Sequence, residues 1–182
     1  MKDLSLHILD LLANSTVVGS TQIGIKIDDS LKDNRYCFEI EDNGKGMDEE
    51  LLAKVTDPYT TTRSTRKVGL GLPLIKMNSE HCNGGFSIKS KVGEGTVLRF
   101  WLEHDNIDRP PLGDIAGSIV FTAAMNEQIR FIYTHNTDSG SYIFDTDEIK
   151  QALDGISLNN ADVIRALCEL INANLAEISC NQ

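Results

Sequence analysis

Between Leu4 and Val18 the apolar residues fall at 4, 6, 8, 9, 11, 12, 13, 17 and 18, mostly on one broad face of a helix. Asp3 or Ser5 offers a cap at its start, and Gly19 a stop. The period then changes. Ile23, Ile25 and Ile27 alternate with polar residues, Asp28, Asp29 and Ser30 suggest a turn, and Tyr36, Phe38 and Ile40 alternate again. This pattern predicts a two-stranded hairpin with one buried face per strand.

Residues 43–68 are polar and turn-rich, with a short helical piece near Glu49–Val55. A second helix is expected from Leu70 to Asn78, ending near Asn83-Gly84-Gly85. Two further strands follow, one with Phe86 and Ile88, the other with Val97, Leu98, Phe100 and Leu102, joined through Gly93-Glu94-Gly95. Arg109-Pro110-Pro111 marks a linker over 105–115. Beyond it, Ile119–Ala124 and Ile129–Thr134 read as a hairpin and Tyr142–Phe144 as a strand. Helices are expected from Asp145 or Thr146 to Leu153 and from Asn160 or Asp162 to Leu175. The expectation is an α+β protein: a main unit over 1–104, the linker, and a small acidic α+β appendix over 116–182.

Composition narrows the class. The chain has 182 residues, 41% apolar and 24% charged, which suits a soluble globular protein with a real core. No run approaches the ~18 apolar residues of a membrane-spanning helix. The opening Met-Lys-Asp-Leu-Ser-Leu-His lacks the apolar run of a secretory leader, so a cytoplasmic location and no membrane partner are expected. The net charge of -10 argues against bulk binding to nucleic acid or anionic lipid. That charge is uneven: residues 1–104 carry 13 basic and 15 acidic residues, residues 105–182 carry 4 and 12. Cysteines at 37, 82, 168 and 180 form no CxxC pair and have no clustered His, so free thiols are expected rather than a zinc site or a disulfide framework.

Four short signals in the front half carry candidate chemistry. On the opening helix, Asp10 and Asn14 lie one turn apart on one face. Asn14 offers a neutral oxygen to a hard cation such as magnesium, and Asp10 can accept a proton from water; a solvated helix edge is the plainer reading. Asp42-Asn43-Gly44-Lys45-Gly46-Met47 follows a strand. Its glycines allow a close backbone approach to a flat ligand, and its carboxylate can accept from an exocyclic amine. An ordinary Asn-Gly turn would look the same, and Met47 could fill core. Thr60, Thr61, Thr62, Arg63, Arg66, Lys67, Gly69, Leu70, Gly71 and Leu72 then place hydroxyls, cations and glycines ahead of a helix. Such a segment can bind phosphate through helix-start amides, or be a solvated loop. Gly93-Glu94-Gly95-Thr96 is either a hairpin turn or a fourth element of the same site.

Taken in order, Asn14, Asp42 to Met47, Gly69 to Leu72 and Gly93 to Thr96 resemble the N box and the three glycine boxes of the GHKL ATPases. That superfamily includes DNA gyrase, the heat-shock-ninety chaperone, sensor histidine kinases and MutL mismatch-repair proteins. The resemblance covers about residues 1–104. It implies the Bergerat fold, a two-layer α/β sandwich with helices on one face of a mixed sheet, and ATP held under a mobile lid. It further implies that Asp42 reads the adenine amino group, Gly46 lines the base pocket and Thr96 assists through a water. Asn14 would hold magnesium against the phosphates, Gly69 and Gly71 would wrap the triphosphate, and residues 58–68 would form the lid. Asp10 stands where ATPase members place a general-base glutamate and is one methylene shorter. Lys67 stands where the box containing Gly69 and Gly71 usually begins with glycine, which would either close the loop differently or supply a phosphate contact.

Three activities are compatible with that resemblance: an ATP-binding module with slow hydrolysis that switches a protein partner, a stand-alone kinase acting on Ser or His, and a non-catalytic nucleotide sensor. Less specifically, the chain is similar to small stand-alone members linked to iron hydrogenase operons and to anti-sigma serine kinases. The first box starts within ten residues of Met1, so a sensor-kinase reading requires a separate partner protein; homodimerisation stays open. His7 and His135 are read as structural, and Asp145, Asp147 and Glu148 as a helix start rather than metal ligands.

Overall fold

The computed structural model describes residues 3–56 and 71–179. Helix α1 (Leu4–Val17) opens at Asp3, whose side chain accepts from the Leu6 amide. Gly19, at φ +79°, turns the chain into β1 (Gln22–Ser30). Strand β1 takes in Asp28, Asp29 and Ser30, so the hairpin turn falls later than expected, with Asn34 at φ 49°. Strand β2 (Arg35–Asp42) returns antiparallel. Short α2 (Glu49–Lys54) follows, capped by Asp48. Then come α3 (Gly71–His81), β3 (Gly85–Lys91) and β4 (Gly95–Glu103).

The region after β4 differs from expectation. Residues 115–125 form α4 (Ile115–Met125) rather than the first strand of a hairpin. Asp114 caps it through the Gly117 amide at 2.8 Å. The hydroxyls of Ser118 and Thr122 bond back to carbonyls four residues earlier, at 2.9 and 2.7 Å. Nine of its 11 residues are buried, so it lacks the one-sided polar pattern that reveals a surface helix. Its Ile-Val-Phe run mimics a strand for that reason.

Strands β5 (Arg130–Thr137) and β6 (Ser141–Asp145), helix α5 (Thr146–Ala152) and helix α6 (Ala161–Ser179) complete the chain. The expected C-terminal appendix has no sheet of its own. The described residues form one six-stranded sheet in the order β3-β4-β2-β1-β5-β6. Strand β5 pairs parallel to β1 from Gln22↔Arg130 to Asp29↔Thr137, and every other pairing is antiparallel. A crossover through α4 makes the parallel pair possible, because parallel neighbours cannot be joined by a tight turn.

One face of the sheet is apolar. Ile23, Ile25, Ile27, Phe38, Ile40, Leu98, Phe100, Leu102, Phe131, Tyr133 and Phe144 are buried in one core with Ile8 and Leu12 of α1 and Ile119 and Ala123 of α4. Phe38 and Phe100, paired in register, stack at 4.7 Å. Alternate positions carry polar pairs, including Arg99 with Glu39 at 3.1 Å and Arg35 over the Trp101 ring. The segment between β4 and α4 is pinned to the start of α1, whose Leu4 and Ser5 amides donate to Pro111 and Leu112 carbonyls at 2.9 and 2.8 Å. Among the described residues no helix is long and apolar enough to cross a membrane.

Candidate nucleotide site

The site begins where α1 ends over the edge of β2. Asp42, the last residue of β2, is 7% exposed although it is a carboxylate. Burial of an acid demands donors, and three surround it. The Ser15 hydroxyl donates to Oδ2 at 2.9 Å. The Gly44 amide donates to Oδ1 at 3.0 Å, and the Ser20 hydroxyl lies 3.4 Å from the same oxygen. Ser20 also lies 2.8 Å from the Ser15 carbonyl, one of the last-turn acceptors that α1 leaves unpaired.

Glycines bring the backbone in close. A β-carbon on Gly44 would lie 2.4 Å from Val18 and 2.8 Å from the Ser20 hydroxyl. On Gly46, at φ +65°, it would lie 1.9 Å from the Lys91 carbonyl oxygen. On Gly95 it would lie 1.9 Å from the carbonyl oxygen of Asp42 itself. The loop after β2 is stitched to the turn before β4: Gly93 donates to the Lys45 carbonyl at 2.8 Å. Asn43 does the same toward β1, its side-chain oxygen accepting from the Thr21 and Gln22 amides.

Thr96 stands opposite Asp42 in the β2–β4 register. Its hydroxyl lies 2.9 Å from that of Ser90, which also receives the Met47 amide at 2.9 Å. Thus Asp42, Gly44, Gly46, Met47 and Thr96, read from two separate stretches of sequence, converge on one end of the sheet. Asn14 precedes Ser15 on α1 and so sits beside that carboxylate's support. Asp10, one turn earlier, lies against the first residue of α3: a β-carbon on Gly71 would be 2.0 Å from Asp10 Oδ2. Leu72 packs partly buried on the core. Thr61, Thr62, Arg63, Lys67, Gly69 and Leu70, with the expected lid over 58–68, lie outside the described residues.

Ser15, Ser20 and Ser90 are not singled out by sequence reasoning. A serine on the sheet-facing side of an amphipathic helix is the only trace Ser15 leaves there. Ser20 and Ser90 leave none, since their roles depend on which elements meet.

The remaining histidines and acids have structural partners. His7 is 1% exposed, with Nε2 3.1 Å from the Asn78 amide nitrogen of α3; burial lowers its pKa. His135 is buried on β5 with Nδ1 2.6 Å from the Tyr133 hydroxyl, and burial pushes its pKa down to about 4. Asp145 caps α5 through the Asp147 amide and takes Arg130 at 3.1 Å. That guanidinium holds the Asp145 carboxyl below its usual range. Among the described residues no group of three or more His, Cys, Asp and Glu side chains could hold a metal.

The described residues thus form a mixed sheet with α1 and α3 packed on it and glycine loops and a buried acid at one end. Residues 2–106 match the family described as histidine kinase-, DNA gyrase B- and HSP90-like ATPase, and the chain belongs to that family. A Shewanella frigidimarina protein described as a sensor is 39% identical over 95 residues, 50% of this chain and 14% of that protein. An NtrY-like sensor histidine kinase of Rickettsia bellii is 36% identical over 100 residues, 52% of this chain and 16% of that protein. The chain therefore spans only a small part of the length of these relatives. In fold it resembles the N-terminal domain of a DNA repair protein at TM-score 0.57 and 18% identity, over 79% of this chain and 52% of that one. That share exceeds the family segment, so the likeness in fold extends beyond residues 2–106.

Proposed function

We propose that the chain binds Mg-ATP at the α1–β2–β4 corner and uses it, through slow hydrolysis or phosphoryl transfer, to regulate another protein. The buried Asp42 carboxylate carries this reading. An acid held by the Ser15 hydroxyl and the Gly44 amide at the end of a strand, beside loops stripped of β-carbons, suits an acceptor for the amino group of a flat base. Gly46 and Thr96 line the same corner. Asn14 supplies one neutral oxygen to magnesium, which commonly takes few protein ligands and fills its shell with phosphate oxygens and water. A single amide oxygen, that of Asn14, would suffice as the protein's ligand in that mode.

In this reading Asp10 accepts a proton from the attacking water. The water oxygen bonds to the γ-phosphorus, the bridge to the β-phosphate breaks, and ADP leaves. The Asp10 carboxylate lies against Gly71 at the start of α3, which supports placing this step near that helix. If the γ-phosphoryl instead goes to a Ser or His of a partner, the same Asp10 serves that hydroxyl or imidazole.

Calorimetry tests the reading. Millimolar ATP or ADP with Mg²⁺ should give heat with the intact chain and none with Asp42→Ala, at unchanged circular dichroism. Saturation at 100 times the dissociation constant should stabilise the fold by about 2.7 kcal/mol. Absence of heat from the wild-type chain rejects the proposal.

A further inference from the structure

We infer that Ser15 is a positioning residue that sets the base preference of the site, by holding Asp42 as a pure acceptor in one orientation. The inference rests on the reading of Asp42 as the adenine-recognising group.

Ser15 sits on the sheet-facing side of α1 and is 6% exposed. Its hydroxyl donates to Asp42 Oδ2 at 2.9 Å, while Oδ1 takes the Gly44 amide at 3.0 Å. The two carboxylate oxygens are thereby fastened to different elements, one to the helix and one to the loop. The Ser20 hydroxyl approaches both the Ser15 carbonyl at 2.8 Å and Asp42 Oδ1 at 3.4 Å. Its single hydrogen goes to the closer acceptor, so it steadies the turn of α1 that carries Ser15. Rotation of the carboxyl about its Cβ–Cγ bond would break both the Ser15 and the Gly44 bond, so the pair fixes that torsion.

An acceptor fixed this way favours a purine with an amino group at position 6. A 6-oxo purine would set acceptor against acceptor. Without Ser15 the carboxyl can turn away, and the preference weakens.

The test compares ATP with ITP, each with Mg²⁺, by calorimetry on the full chain. Wild type should prefer ATP. Ser15→Ala should weaken ATP about tenfold, the scale of one hydrogen bond to a charged group, and leave ITP within about twofold. Ser15→Thr, which keeps the hydroxyl, should restore the preference; if Ser15→Ala unfolds, Ser15→Cys replaces it and should show the same loss in smaller measure. Equal weakening of both nucleotides, or an unchanged ratio, overturns the role of Ser15 while leaving nucleotide binding intact. A wild-type chain that binds neither nucleotide overturns the reading of Asp42 as well.

Discussion

The carboxylate of Asp10 on α1 occupies the space that a side chain at Gly71 would need: a β-carbon there would lie 2.0 Å from Oδ2. The two residues are 61 positions apart in sequence, yet the glycine and the acid fit each other. Asp10→Asn should keep ATP binding within about threefold and abolish phosphate release, because the amide keeps shape but cannot accept the proton. Gly71→Ala should displace the carboxylate and reduce turnover in the same direction. A malachite-green phosphate assay beside calorimetry checks both. Unchanged turnover in Asp10→Asn removes this residue from the chemistry.

Asp42 separates binding from folding. Asp42→Ala should cost about 2–5 kcal/mol of nucleotide binding, by analogy with buried hydrogen-bonded charges that lose their partner. The Ser15 hydroxyl and the Gly44 amide would be left without their acceptor, so some stability should be lost as well. Titration with ATP, together with melting of the free variant, resolves the two effects.

Gly46 tests the backbone. At φ +65°, with the Lys91 carbonyl oxygen 1.9 Å from where a β-carbon would stand, it has no room for a side chain. Gly46→Ala should lose about 2 kcal/mol or more, an expected fall of roughly 4–8 °C in melting temperature for a chain of this size. Gly93, at φ +78° with nothing within 4 Å, has only the conformational cost to bear. Its alanine variant should melt closer to wild type.

Acid should weaken the fold through His135. Burial holds this imidazole neutral down to about pH 4 in the folded chain, whereas the unfolded chain protonates it near 6.5. Between these values the unfolded state binds more protons, so stability is full above about pH 6.5 and falls as pH drops toward 4. The loss should reach about 3 kcal/mol, and His7, also lowered by burial, adds in the same direction. Urea midpoints at pH 7 and pH 4.5 measure it. His135→Gln, which keeps a partner for the Tyr133 hydroxyl, should flatten the slope.

The front half is legible because its signals are local. A period of two in Ile23, Ile25 and Ile27, a helical face from Leu4 to Val18, and the spacing of Asn14, Asp42 and Thr96 can all be read along the chain. Residues 115–125 mislead because a helix buried on nearly all sides has no polar face, and its β-branched run then resembles a strand.

The sequence by itself determined most elements of the front half and the family, since periodicity, turn residues and motif spacing depend on neighbours along the chain. Tertiary structure alone decided that β5 joins β1 in one sheet, that Ser15 holds Asp42, and that Asp10 meets Gly71. Those relations join residues far apart in sequence, and only packing against a shared core brings them within reach.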